Sequence, residues 1–404
     1  MKKQGQNRTV AFAALGLSFL FGTVLLTANS TADTFRHRTG GQTYHGYATQ
    51  NADDGKTTVY TAESGKIELN PAEYEITPDA QGRNRTVSVL TIDNEIEYEI
   101  VTAAFEKTVV EESNKGPLCI IIEIDSPGGS VDLAMQMCSA LTKTRNCQTV
   151  AFIKGGHQGG AYSAAAAVAL ACNRIYMTGG TVIGAATMIA ATENQVVDLE
   201  KIVGKNISEK MRSAWRNYLA SLAEQNHRPV AMARAMENKD IEVLQVRREG
   251  KILYIEATEK MPGDEVLRVR SNKGNLLTLP AGEAVECGMA DKVAANLEEV
   301  LADMNASDAK IERADALAKA KDELDKVIRK FKQLDNSLDT KVKTIIAKSD
   351  NGRMTKLEAK KALKGIIQEI KYLIRLRQSY PDVPCEEEEL QTFLNSVQAE
   401  YDSI

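Results

Sequence analysis

Cys119-Ile120-Ile121-Ile122-Glu123-Ile124, followed at once by Asp125-Ser126-Pro127-Gly128-Gly129, limits the chain more than any other stretch. A run that is apolar at nearly every position suits a parallel strand covered on both faces. Two glycines after a proline permit a tight turn whose N–H groups point into one concavity. The pattern continues with a helix over residues 131–143, a strand over 149–153, and the glycine-rich loop at 155–160. Ser163 then opens an alanine-rich helix that runs to Ala171, and Arg174-Ile175-Tyr176-Met177 reads as another strand. With a strand at 86–92 and a helix at 96–112 upstream, strands and helices alternate. The expected fold class is therefore α/β, built from βαβ units.

At 404 residues the chain is long enough for two or three units. Its composition, 43% hydrophobic and 26% charged, is that of a soluble globular protein. The net charge of −5, the lack of a basic block and the single Trp exclude a nucleic-acid partner. Residues 1–32 resemble an export signal. Lys2, Lys3 and Arg8 precede an apolar run at 10–26, and Ser30-Thr31-Ala32 supplies small residues for cleavage. The run also suits an uncleaved N-terminal anchor, so the expected location is extracytoplasmic, periplasmic or secreted. No later segment approaches the roughly 20 apolar residues that a membrane helix needs. The six cysteines read as small buried thiols rather than a disulfide framework, since Cys119, Cys138 and Cys172 fall in apolar patterns.

Residues 33–84 carry strand-like runs at 57–61 and 66–69 around Glu63-Ser64-Gly65, a turn signal, and predict a small β-hairpin unit. An α/β domain is expected over 85–305. The remainder, 306–404, is helical and highly charged. Leu317, Leu324, Phe331, Leu338 and Ile345 recur every seven residues, with Ala320, Val327 and Leu334 at the complementary seam. Asp350-Asn351-Gly352 breaks that helix, and Thr355 with Glu358 forms a capping box for the next. This pattern suits two arrangements. The helices fold back as a coiled-coil hairpin within a self-contained bundle, or they form an arm for a homo-oligomer or a coiled-coil partner.

Ser163 stands where a serine is most often an N-cap. Its setting also suits a nucleophile: glycines precede it, a helix N-terminus follows it, and the Ala164 N–H lies beside its hydroxyl. None of the four histidines occupies an obvious position for a base. The amphipathic helix at 208–227 repeats Met211, Ala214, Trp215, Tyr218, Leu219 and Leu222 at helical spacing, and the stripe extends back to Lys210. A lysine starting that inward face is partly desolvated and can accept a proton, or it simply snorkels at the helix end. No Gly-Lys-Ser/Thr follows the glycines, so a nucleotide P-loop is excluded and no cofactor or metal is implied.

Together, residues 124–129, the 161–164 block, residues 174–177 and 179–186, the 210–228 helix and the closing Gly288-Met289-Ala290-Asp291 resemble the ClpP/crotonase superfamily. They are most similar to the branch of NfeD-type membrane-associated serine proteases, related to signal peptide peptidase SppA. The resemblance implies a ClpP/crotonase-like core of repeated ββα/βαβ units and a Ser–Lys dyad acting on peptide or protein substrates. In it Ser163 attacks the carbonyl, Lys210 takes the proton, and the Gly128, Gly129 and Ala164 N–H groups hold the oxyanion. Three departures accompany it. Ala165 replaces a usual glycine, Gly179 stands where proline is common, and no transmembrane bundle or OB domain follows the protease region. A membrane-protein partner is compatible with the same resemblance.

The leading expectation is an exported, ATP-independent serine endopeptidase. The alternatives are a catalytically silent ClpP-like scaffold working through its coiled coil, and a crotonase-type acyl-CoA enzyme. The export signal counts against the last, because coenzyme A is a cytosolic cofactor.

Overall fold

The computed structural model describes residues 33–49, 56–61, 65–77, 86–144, 147–191 and 196–404. The export-type segment at 1–32 lies outside them. Strands β1 (Asp33–His37), β2 (Thr43–Thr49), β3 (Thr57–Thr61), β4 (Gly65–Leu69) and β5 (Tyr74–Thr77) form one antiparallel sheet, ordered β4-β3-β2-β1-β5. The expected hairpin is its β3-β4 edge. A lone hairpin is marginal in water; here three more strands let Phe35, Val59, Leu69 and Tyr74 close a small core.

The main domain alternates as its sequence pattern predicts. Strand β6 (Thr86–Ile92) leads to α1 (Glu99–Asn114), β7 (Cys119–Ile124), α2 (Val131–Lys143) and β8 (Gln148–Ile153). Next come β9 (Gly160–Tyr162), α3 (Ala164–Leu170), β10 (Arg174–Met177) and β11 (Val182–Gly184). A short hairpin, β12 (Ile189–Ala191) and β13 (Val196–Asp198), precedes α4 (Leu199–Val203), α5 (Lys205–Gln225) and α6 (Val230–Glu237). A separate antiparallel sheet holds β14 (Val243–Arg248), β15 (Lys251–Glu256) and β16 (Glu265–Ser271). The domain continues through β17 (Thr278–Pro280), α7 (Ala281–Glu286), β18 (Lys292–Val293), α8 (Leu297–Asp303) and β19 (Lys310–Arg313).

Six strands form a parallel sheet in the order β18-β10-β8-β7-β6-β19. Strand β19 therefore carries the sheet past residue 305 by pairing with β6. Strand β7 lies near the centre, and its side chains alternate between two cores. Ile120, Ile122 and Ile124 join the core that contains α3, whereas Cys119 and Ile121 pack with Val300 and Leu301 of α8. Both faces are covered, which is why the run is apolar at every position but Glu123. Each of these fully buried isoleucines contributes about 1.5–3 kcal/mol. The acid in the run, Glu123, is answered by Arg313 at 3.1 Å and Lys154 at 2.9 Å.

The C-terminal helices α9 (Ala316–Asp350), α10 (Lys356–Ser379) and α11 (Glu387–Ser403) pack around one apolar cluster that includes Phe331, Leu338, Leu363, Ile370 and Leu390. Much of the heptad seam is thus packed by the chain's own helices, as in a self-contained bundle. The bundle also docks on the main domain. Leu317 enters its core, and Asp382 accepts hydrogen bonds from the Glu99 and Ile100 N–H groups at the start of α1, at 2.8 and 3.1 Å. Among the described residues no helix is long and apolar enough to cross a membrane. None of the six cysteines is joined in a disulfide.

Candidate active site

Strand β7 leads straight into Asp125-Ser126, and the segment beyond them is built around one turn. Gly128 and Gly129 adopt φ of +104° and +140°, which a side chain would strain. Contact excludes side chains here as well. A Cβ on Gly128 would lie 2.6 Å from Ser163 Cβ and 2.9 Å from the Ala164 nitrogen. A Cβ on Gly129 would lie 2.3 Å from the Ile96 carbonyl oxygen. The Pro-Gly-Gly turn is thereby set directly against the start of α3.

Ser163 occupies the strand-to-helix junction between β9 and α3 with φ 52° and ψ −123°. Such a conformation costs about 1–3 kcal/mol in a non-glycine residue and persists only where the surroundings enforce it. They do so here. The Ser163 N–H donates to the Gly184 carbonyl at 2.9 Å, and its carbonyl accepts from the Ala166 N–H at 3.0 Å. The hydroxyl makes no capping hydrogen bond to α3, so the ordinary N-cap role does not describe it. The residue is half-buried, and every residue of α3 behind it is buried. Ala165 packs in that core with no exposure.

The three expected oxyanion donors differ in their state. The Gly128 N–H already donates to Ser126 Oγ at 3.2 Å. The Gly129 and Ala164 N–H groups have no acceptor among the described residues. The turn is held from its other side by the 94–96 loop. Ser126 Oγ donates to the Asn94 carbonyl at 2.6 Å, Ile96 N–H donates to the Gly128 carbonyl at 2.7 Å, and Ser130 N–H donates to the Ile96 carbonyl at 2.7 Å.

Asp125 is not marked out by residue type, yet it organises the loop that delivers Ser163. Its buried carboxylate accepts hydrogen bonds from the N–H groups of Gln158, Gly159 and Gly160 at 3.1, 2.8 and 3.2 Å. The available signal is an acid at the end of a buried strand, with a glycine-rich loop of backbone donors downstream. His157, in the same loop, is exposed.

Lys210 lies elsewhere than its helical stripe suggests. Helix α5 buries Ser208, Trp215, Leu219, Ala220, Leu222 and Ala223, while Lys210 is exposed. Among the described residues Ser163 and Lys210 share no hydrogen bond. The anchor of α5 is Trp215, whose indole N–H donates to the Ala186 carbonyl at 2.7 Å. Arg212 reaches back to the Met188 carbonyl at 3.3 Å, so this end of α5 runs along the segment that follows Gly184. Burial pushes the Cys172 thiol up to about 12 and also raises that of Cys138 on α2.

Several known proteins are similar to this part of the chain. Solved structures of a membrane-bound stomatin-specific protease are similar at 19% identity, with a TM-score of 0.42, over 58% of this chain and 98% of that one. A lysine-to-alanine mutant of it in complex with a substrate peptide gives 20% identity and a TM-score of 0.43, over 57% and 92%. A membrane protease specific for a stomatin homologue from Pyrococcus horikoshii gives 19% and 0.36, over 57% and 90%. The curated membrane protein NfeD1b of Bacillus subtilis (strain 168) is 25% identical over 236 residues, 58% of this chain. That alignment spans 45% of the relative's own length. Residues 86–266 match the family described as NfeD1b, N-terminal domain, which supports an NfeD-type fold for this part of the chain.

Proposed function

We propose that the chain is a serine endopeptidase in which Ser163 is the nucleophile. One observation carries the reading: Ser163 starts a helix without capping it, in a strained conformation, against the Gly128 turn, and the Ala164 and Gly129 N–H groups have no acceptor among the described residues. Its Oγ would add to a peptide carbonyl carbon, and the resulting oxyanion would accept from Gly129 and Ala164 N–H. Removing one such donor elsewhere costs about 10²–10³ in kcat. Gly128, whose own N–H is committed to Ser126, serves as the glycine that lets the turn approach Ser163. Collapse of the tetrahedral intermediate releases the amine with the transferred proton, and water then cleaves the acyl-enzyme.

Lys210 is the proposed base. Because it is exposed in the free protein, the start of α5 would have to close over a bound peptide to bring Nζ to Ser163. Catalytic hydrogen bonds commonly tighten only in the substrate complex. We place the protein outside the cytoplasm, with residues 1–32 as its signal or anchor; the relative is itself a membrane protein. Lys210→Ala should abolish peptide cleavage and leave the circular dichroism spectrum unchanged. Retained cleavage would move the base role to Lys205 or His157. The exposure of Lys210 favours a second reading, a catalytically silent scaffold, which requires that a folded protein leave Ser163 unreactive.

A further inference from the structure

We propose that the cavity between the 93–98 loop and the start of α9 binds a small organic amine with an apolar body, and that the bound amine steadies the turn beside Ser163. The cavity encloses about 350 Å³, within the range of about 300–1,000 Å³ usual for small-molecule sites. Its floor is apolar, formed by Ile92, Ile96, Val101, Met137 and Leu317. Its rim carries four carboxylates, those of Asp93, Glu95, Glu97 and Asp322, against one cation, Lys321. That lysine is already engaged, 4.0 Å over the Tyr98 ring and 3.0 Å from Asp325. An apolar body below a negative rim selects a positively charged head.

A second, independent feature also points to a ligand. Thr102 lines the cavity at 1% exposure, and its Oγ1 has no hydrogen-bond partner among the described residues. Buried hydroxyls are normally paired, so an orphan in a cavity wall is a group that a ligand can satisfy.

The cavity wall is also the support of the Pro-Gly-Gly turn. Asn94 and Ile96 face the cavity, and their backbone groups bond Ser126 Oγ at 2.6 Å and the Gly128 carbonyl at 2.7 Å. An occupant that packs against Ile96 restricts the loop that fixes Gly128 and Gly129. This coupling rests on Ser163 being the nucleophile; the binding site does not.

The test uses the purified full chain and octylammonium, with octanoate as a control of equal length and opposite charge. Calorimetry should show octylammonium binding once per chain and octanoate at least about tenfold weaker, the acidic rim setting the difference. Ala318→Phe, at an exposed position on the cavity mouth, should abolish binding. Thr102→Val should weaken it about three- to tenfold. Equal binding of the two probes, binding of neither, or binding untouched by Ala318→Phe overturns the site. Octylammonium should also speed fluorophosphonate labelling of Ser163; an unchanged rate with the amine bound overturns the coupling. A chain that never labels counts against the Ser163 reading, and calorimetry then decides the site alone.

Discussion

Gly128 and Ser163 are in contact across the turn, so close that a single added methyl on Gly128 would sit 2.6 Å from Ser163 Cβ. The turn and the serine therefore form one unit, and Gly128→Ala should separate them. The expected result is a loss of about 10²-fold or more in the labelling rate of Ser163, as the oxyanion donors are displaced. Circular dichroism should report an intact fold, because Gly128 lies outside the sheet. Labelling at the parental rate would show that the contact has no chemical consequence.

Asp125 gathers three N–H groups of the glycine-rich loop onto one buried carboxylate. Asp125→Ala leaves those donors without their acceptor, at about 1–3 kcal/mol for each group that stays buried. Limited proteolysis should then cut within residues 155–160, where the parent resists. Equal resistance in both proteins would assign the order of the loop to the β9–β11 pairing instead.

Asp382 of the C-terminal bundle caps α1 through two backbone N–H groups. Its replacement by alanine should lower stability by about 1 kcal/mol, the usual worth of a helix cap. A shift in the denaturation midpoint of the main domain would show that the bundle supports it. No shift would mean that the docking is energetically idle.

Glu237, at the end of α6, is 2% exposed and lies 3.1 Å from Arg216. Burial pushes its carboxyl up to about 7, against the opposing pull of the Arg216 guanidinium. A carboxyl with a folded pKa above its unfolded value of 4.5 binds its proton more tightly when folded. Its contribution to stability is full below that unfolded value and is lost as pH rises through the folded one. Glu237→Gln should therefore lose less stability than the parent between about pH 5 and about pH 8. Parallel losses would show that Glu237 does not titrate in that window.

The parts that could be read from the residues are those where burial dictates composition. Cys119–Ile124 is apolar except for the ion-paired Glu123 because both its faces are covered, and α3 is nearly all alanine because it is wholly buried. Gly128 and Gly129 declared a turn because no other residue fits their backbone and contacts. Periodicity failed at the start of α5. The buried stripe runs through Ser208, Trp215, Leu219 and Leu222, and Lys210 falls with Ala214 on the exposed face beside it. The Asn94–Ile96 support of the turn left no mark on side-chain type, since it acts through backbone groups. Heptad spacing in α9 likewise specified a seam without specifying its occupant, and the occupants are the main domain at Leu317 and the C-terminal helices from Phe331 onward.

The most direct measurement is fluorophosphonate labelling of the purified protein, followed by mass spectrometry of its peptides. A nucleophilic Ser163 predicts one adduct, on the peptide containing Ser163, that disappears in Ser163→Ala. A folded protein that carries no adduct, or carries it on another residue, would contradict that role.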